Sequence, residues 1–187
     1  MSVEIARGHV FIATSIDGFV AKKDHSLDWL IKQPEDSENK SYDEFKATID
    51  VLVMGSGSFK TILGFGFWPY EVPVKVMSTS MTQKDIPADL KGKVEIINQA
   101  PKAVMAALFQ EGYKNAYIDG GRLVQSFINE GLIEDMTLTL IPILLGEGIS
   151  LFGPIKEDID LELIESIAHR TGFVQNHYRL IHNSNEK

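Results

Sequence analysis

Short apolar runs alternate along the chain with segments in which apolar residues recur at helical spacing. Runs of this length, bounded by glycine, proline or polar residues, are typical of strands that are buried on both faces. The pattern predicts such strands at 10–14, 51–54, 72–77, 94–97 and 116–118, with a short extended piece at 19–21. It predicts helices at 41–49, 58–63, 100–112 and 123–131, with a short helical turn at 27–31. Ser41 and Glu44 have the spacing of a capping box, which predicts Ser41 as the N-cap of the helix at 41–49.

The C-terminal part of the chain shows a different order of elements. An apolar stretch at 136–145 predicts a long strand interrupted by Pro142, and the segments 161–168 and 172–182 predict two strands joined by a hairpin. Strands that alternate with helices favour a mostly parallel sheet with helices on both faces. We therefore expect one α/β domain over residues 1–187, with a central mixed, mostly parallel sheet, flanking helices in three layers and a C-terminal antiparallel hairpin.

Composition and charge narrow the function classes. A chain of 187 residues suits one domain, and its formal net charge of −8 without a basic cluster argues against nucleic acid as a partner. No apolar run approaches the roughly 20 residues that cross a membrane, and the first ten residues have no apolar signal core. The absence of cysteine fits a cytoplasmic protein and excludes thiolate metal sites. The five histidines lack metal-ligand spacing, so no metal site is expected.

One predicted strand-to-helix turn carries the sequence Asp119-Gly120-Gly121-Arg122-Leu123. The first turn of a helix offers free backbone N–H groups and a partial positive charge, which suit a pyrophosphate. Glycine lets the backbone approach such a group closely. Taken alone, a plain tight turn explains the paired glycines more often than a cofactor does.

Two further strands are predicted to end in small polar residues. Gly55, Ser56, Gly57 and Ser58 follow the strand at 51–54 and lead into a helix, and Ser78-Thr79-Ser80 follow the strand at 72–77. Hydroxyl and N–H groups there suit phosphate or ribose, although a serine-capped helix and an ordinary polar loop are the simpler alternatives. The carboxyl ends of parallel strands share one edge of a sheet, so these turns are expected to lie together, where ligands of open α/β sheets bind.

Two other positions are candidates for contact with a substrate. Asp17, in Ser15-Ile16-Asp17-Gly18, follows the first strand and could bind a substrate's amino groups or carry a proton, but an Asp-Gly turn needs no function. In Asp28-Trp29, the indole could form a substrate wall, or it could be a core anchor. The sequence leaves these alternatives open.

Several segments, in order, resemble the dihydrofolate reductase superfamily. The closer resemblance is to the reductase domain of the bifunctional riboflavin-biosynthesis deaminase–reductase and to its stand-alone bacterial relatives. Each segment is a weak signal, and their order and spacing make the resemblance specific. The segments are Ala13-Thr14-Ser15-Ile16-Asp17-Gly18, Leu27-Asp28-Trp29-Leu30, Asp50-Val51-Leu52-Val53-Met54-Gly55, Asp119-Gly120-Gly121, Gly131-Leu132-Ile133-Glu134-Asp135, Ile141-Pro142-Ile143-Leu144-Leu145-Gly146-Glu147-Gly148 and Leu151-Phe152.

The resemblance implies an NADPH site across the sheet and a small-molecule substrate beside it. It places backbone groups near Ala13 and Val20 at the nicotinamide, the turn 55–58 and its helix at phosphates, 78–80 at the adenosine ribose and 120–123 at the pyrophosphate. It also makes Asp17 and Asp119 substrate-site acids. Hydride transfer to a small heterocycle or ribosylaminopyrimidine is the implied reaction. Relatives of this kind often form homodimers, for which the apolar 136–145 segment is a candidate surface, as well as a core strand.

The chain departs from the family pattern at two places. Ser56 stands where an arginine that pairs with the 2′-phosphate is common, which leaves NADH possible beside NADPH. Pro34 stands near the position of the acid that dihydrofolate reductases keep after their early tryptophan, which argues against folate reduction. A reductase of other small carbonyl or pteridine compounds and a non-catalytic nucleotide-binding protein therefore stay as alternatives.

Overall fold

The structure is a computed structural model, and it describes residues 4–34 and 40–182. Its strands are β1 (Arg7–Ser15), β2 (Phe19–Ala21), β3 (Val51–Gly55), β4 (Val74–Met77), β5 (Val94–Ile97), β6 (Asn115–Asp119), β7 (Ile133–Ile141), β8 (Ile149–Ser150), β9 (Asp160–Ala168) and β10 (Val174–Ile181). Its helices are α1 (Asp28–Ile31), α2 (Ser41–Ala47), α3 (Ser56–Leu63), α4 (Pro101–Gln110) and α5 (Gly121–Asn129). Two 3₁₀ turns, at Gln83–Asp85 and Ala88–Leu90, lie between β4 and β5.

Eight strands form one mixed sheet in the order β5-β4-β3-β6-β1-β7-β10-β9. The pairings from β5 to β7 are all parallel, whereas β10 runs antiparallel to both β7 and β9. The short strands β2 and β8 form a separate antiparallel pair. The mostly parallel sheet and the C-terminal hairpin that the sequence predicts are confirmed.

Helices cover both faces of the sheet, because the central strands are apolar on both sides. On β3, Val51 and Val53 join the core beneath α4 and α5, whereas Leu52 and Met54 join the core beneath α3. All four side chains are fully buried. This explains why β3 has a continuous apolar run and no polar alternation. No helix in the described ranges is long and apolar enough to cross a membrane.

Three local expectations are wrong. Helix α2 has Lys40 at its N-cap and no side-chain cap hydrogen bond there, so the capping box at Ser41 does not form. Strand β4 begins at Val74, after Pro73, which has no N–H to donate to a ladder. Strand β7 ends at Ile141, before Pro142, and lies inside the sheet between β1 and β10. The 136–145 segment is therefore mainly core, and the edge strands of the sheet are β5 and β9.

Candidate active site at the carboxyl edge of the sheet

The predicted turns meet at one edge of the sheet. Strands β4, β3, β6 and β1 are consecutive neighbours and parallel, so the segments that follow them lie side by side. We call this arrangement the carboxyl edge. It comprises the residues 15–18, 55–58, 78–80 and 119–123. The sequence could predict it because each turn follows a recognisable buried strand.

Two helix N-termini adjoin at the carboxyl edge. Helices α3 and α5 begin directly after the neighbouring strands β3 and β6, and neither has a side-chain cap hydrogen bond. Gly120 has a positive φ of 98°, and a Cβ on it would lie 2.6 Å from Ser58 Oγ. Glycine is thus required where the two turns touch. The first N–H groups of a helix have no partner within the helix itself, so those of α3 and α5 suit a ligand or water.

Glycines shape this place in two different ways. A Cβ on Gly121 would lie 2.6 Å from the carbonyl oxygen of Ser150 and 3.1 Å from Val20, so Gly121 lets α5 pack against the β2–β8 pair. A Cβ on Gly55 would meet nothing within 4 Å. The turn before α3 thus has open space in front of it. Open space beside two uncapped helix starts fits the pyrophosphate of a dinucleotide.

The other residues that are expected at the cofactor differ in their exposure and in their hydrogen bonds. Arg122 is exposed in the first turn of α5, whereas Leu123 packs against the core. The Ser78 hydroxyl accepts hydrogen bonds from the backbone N–H groups of Ser80 (3.2 Å) and Met81 (3.0 Å), and it shapes the loop after β4. The exposed Thr79 and Ser80 lie on the outside of that loop. The Ser80 hydroxyl lies 3.5 Å from the Ser78 hydroxyl.

Asp119 is the partly buried acid of the carboxyl edge. The Tyr117 hydroxyl lies 3.5 Å from its Oδ1 and donates a 2.7 Å hydrogen bond to the Phe11 carbonyl oxygen. Burial raises the pKa of Asp119, and hydrogen bonds from the side chains of Ser58 and Tyr117 oppose this only in part. Burial and the nearby Asp119 charge also raise the pKa of Tyr42 to about 12. Asp119 therefore combines a position beside the helix starts with a pKa above the ordinary value of a carboxyl group.

The carboxylate of Asp17 is bound within the protein. It accepts hydrogen bonds from the backbone N–H of Leu145, at 3.1 and 3.2 Å, and of Gly146, at 2.7 Å. The Ser15 hydroxyl, followed by these backbone groups, lowers the pKa of Asp17. The side chain thus ties the turn after β1 to the loop at 142–148. An ionised acceptor of this kind is a poor proton donor at neutral pH.

The candidates Asp28 and Trp29 lie on α1 and not on the four turns of the carboxyl edge. The Asp28 carboxylate accepts hydrogen bonds from Lys22 Nζ (2.7 Å) and Ser26 Oγ (3.3 Å) at the surface. The Trp29 side chain is only 1% exposed, so it has no open face on which a substrate could stack. The structure supports the alternative role of Trp29 as a core anchor.

A cleft of about 390 Å³ opens beside β1. Its described lining is mostly apolar and aromatic, and it includes Ala13, which the sequence places at the nicotinamide. Tyr42 links the cleft to Asp119, since its ring packs 5.2 Å from Phe11 and its pKa responds to the Asp119 charge. The lining residues are Phe11, Ile12, Ala13, Leu30, Gln33, Pro34, Ser41, Tyr42, Thr139, Ile141, Phe173 and Gln175.

Sequence reasoning missed two polar residues of this cleft. Gln175 Nε2 donates a 3.0 Å hydrogen bond to Thr139 Oγ1, and the two residues are 5% and 9% exposed. Both are polar residues within strands, and polar residues of a strand usually face solvent. The one available signal was a glutamine that directly follows Phe173 and Val174 in a strand pattern.

The strand order and the helices on both faces define an α/β protein with a dihydrofolate-reductase-like fold. The chain belongs to the family described as the RibD C-terminal domain, whose model matches residues 8–174. It is 32% identical over 157 residues to the uncharacterized protein YwjB of Bacillus subtilis (strain 168), covering 82% of this chain and 87% of YwjB.

Solved structures support the same assignment. A protein of Shewanella sp. PV-4, described as a candidate riboflavin biosynthesis protein, is 35% identical, with a TM-score of 0.87 over 94% of this chain and 99% of that one. Dihydrofolate reductase of Enterococcus faecalis, complexed with NADP(H), has a TM-score of 0.62 at 17% identity, over 94% and 97% of the two chains. The latter likeness concerns the fold alone.

Proposed function

We propose that this protein is an NAD(P)H-dependent reductase of a small heterocyclic substrate, and that it acts on a ribosylaminopyrimidine of the riboflavin pathway or a compound like it. The observation that carries the proposal is the pair of uncapped helix starts, α3 and α5, beside the partly buried acid Asp119. A nicotinamide-dependent reductase needs a dinucleotide site and a source of the proton, and an acid with a raised pKa beside that site can be this source. Membership of the RibD C-terminal domain family supports the same reaction class.

The cofactor would be held chiefly by backbone groups. We assign the pyrophosphate to the N–H groups at the starts of α3 and α5, next to the open space at Gly55. When bound, a reduced nicotinamide supplies a hydride. Ser56 offers a hydroxyl and no charge for a 2′-phosphate, so we expect NADPH to bind with only a modest advantage over NADH.

The two acids have separate roles in this proposal. Asp119, with its raised pKa, donates or positions the proton at the substrate. Asp17 is a positioning residue, because its carboxylate already accepts the N–H groups of Leu145 and Gly146. It fixes the loop at 142–148 against the turn after β1.

The test is a titration of the purified protein with NADPH and with NADH, followed by a substrate panel with NADPH oxidation as the readout. We expect saturable binding of NADPH below about 1 mM. Absence of saturable binding for both dinucleotides would refute the proposal. Turnover of a pteridine or simple carbonyl in place of pyrimidines would favour the alternative reductase, and binding without turnover of any panel member would favour the non-catalytic protein.

We further propose that two copies pair through β9. All nine residues of this edge strand are exposed, and they include Leu161, Leu163, Ile164 and Ile167. An unpaired edge of this length that carries four exposed aliphatic side chains favours pairing with another strand. An antiparallel two-fold pairing centred on Ile164 would set Leu161 against Ile167 and no carboxylate directly against another. The cytoplasmic location expected from the sequence stays a prediction.

A further inference from the structure

A row of three residues crosses the floor of the cleft. Ala13 on β1 is paired in register with Thr139 on β7, which is paired in turn with Gln175 on β10. Neighbouring strands lie about 4.8 Å apart, so the backbone of Gln175 lies about 10 Å from that of Ala13. A planar ring system can span this distance, with one end at Ala13 and the other at Gln175.

The Gln175 side chain is almost completely buried, and a hydrogen bond fixes its carboxamide. Its Nε2 donates to Thr139 Oγ1, so the carboxamide is held in one orientation and its Oε1 is the acceptor end. A carboxamide oxygen accepts up to two hydrogen bonds, and water or a ligand can donate to it. Because both residues line the cleft, that donor has access from the cleft side.

The hydrogen bond to Thr139 fixes how the carboxamide faces a ligand. The Thr139 hydroxyl accepts from Gln175, which leaves its own hydrogen free to donate. The pair thus presents an acceptor at Gln175 and donors beside it. A neutral cis-amide, in which a ring N–H stands next to a ring carbonyl, is complementary to this pattern. The surrounding Phe11, Tyr42 and Phe173 side chains suit the flat faces of such a ring.

We propose that Gln175, oriented by Thr139, is a specificity-determining residue that selects substrates with an uncharged lactam edge. This inference rests on the proposed reductase function and names the substrate class of that site. Gln175 binds the edge of the substrate ring that lies farthest from Ala13. Thr139 acts as a positioning residue, since it holds the carboxamide and does not alone supply the acceptor.

The test uses fluorescence titration of two probes in the absence of any dinucleotide. Pteridine-2,4-dione carries ring N–H groups next to its carbonyls, whereas its 1,3-dimethyl derivative keeps the carbonyls and loses those N–H groups. We expect the wild-type protein to bind the unmethylated probe about tenfold more tightly, which corresponds to a single buried hydrogen bond.

Variants separate the hydrogen bond from the bulk of the methyl groups. Gln175→Met keeps the side-chain volume and should reduce the affinity ratio to about one. Thr139→Val, a nearly isosteric change, should lower the ratio in the same direction, and Thr139→Ser should retain it. Gln33→Met is the matched control, because Gln33 lines the same cleft and its Nε2 donates to the Trp29 carbonyl oxygen. Its ratio should match that of the wild type.

Three results would overturn the inference: a wild-type ratio near one, a wild-type ratio retained in Gln175→Met, or no binding of the unmethylated probe up to about 1 mM. These results are independent of the cofactor titration. A protein that binds NADPH but does not discriminate between the probes contradicts the role of Gln175 alone. A protein that discriminates between the probes but binds neither dinucleotide contradicts the proposed reductase.

Discussion

Replacing Gly55 with alanine would separate cofactor binding from folding. Gly55 has φ −80° and ψ 161°, a conformation that alanine adopts freely. The added Cβ would meet no protein atom within 4 Å. Because alanine also has less conformational freedom than glycine when unfolded, the free energy of unfolding should stay unchanged or rise by up to about 1 kcal/mol. For a domain of this size, such a gain raises Tm by about 2–4 °C.

The same methyl group should weaken cofactor binding. It would project into the space in front of α3, where we place the pyrophosphate. A methyl group that holds a phosphate away from its N–H donors removes at least one charge-assisted hydrogen bond. That loss corresponds to a Kd for NADPH that is about tenfold or more above the wild-type value.

The assay is thermal unfolding of the unliganded protein together with calorimetric titration of NADPH. Gly64→Ala is the control, since Gly64 lies at the opposite end of α3 with φ −69°. It should leave the Kd unchanged. A stable Gly55→Ala variant that binds NADPH as the wild type does would refute the placement of the phosphates at this turn.

Three further predictions follow from the site and the edge strand. Asp119→Asn should lower kcat by at least about 100-fold while the affinity for the cofactor is kept, and an equal kcat would contradict the role of the acid. Because the pKa of Asp119 is raised, its ionised form destabilises the fold, so the stability of the variant relative to the wild type should be greater at pH 7 than at pH 4. Asp17→Ala should speed amide hydrogen exchange at Leu145 and Gly146 at pH 7, and unchanged exchange would contradict the hydrogen bonds from these groups to Asp17. Since the pKa of Asp17 is lowered, the wild type should show the faster exchange only in acid, below the ordinary carboxyl pKa of 3.8. Leu163→Lys, at a side chain that is 54% exposed, should convert a dimer to a monomer by light scattering with little change in Tm, whereas a monomeric wild type would contradict pairing through β9.

Much of the fold could be predicted because its signals are local. The apolar run 51–54 is buried on both faces of a parallel sheet, which its composition indicates directly. The turns after β3 and β6 were recognisable for the same reason, as glycines that follow buried strands. Helix α2 was predicted with the wrong N-cap, since a capping-box spacing is compatible with a helix that begins at a neighbouring residue.

The site was less predictable where it depends on distant contacts. The partners of Asp17 are 128 and 129 positions away in the chain, so sequence spacing could not show that its carboxylate is engaged. Likewise, the pairing of Gln175 with Thr139 requires the register of β10 on β7. Burial of Trp29 depends on tertiary packing, which its short helix does not reveal. Strand β9 is an edge strand because β10 lies between β9 and β7.

A crystal structure of the protein with NADPH tests the central claim most directly. We predict a pyrophosphate within about 2.7–3.2 Å of backbone N–H groups at the starts of both α3 and α5, with the nicotinamide beside Ala13. A dinucleotide bound elsewhere on the molecule, or none at a saturating concentration of NADPH, would contradict the account.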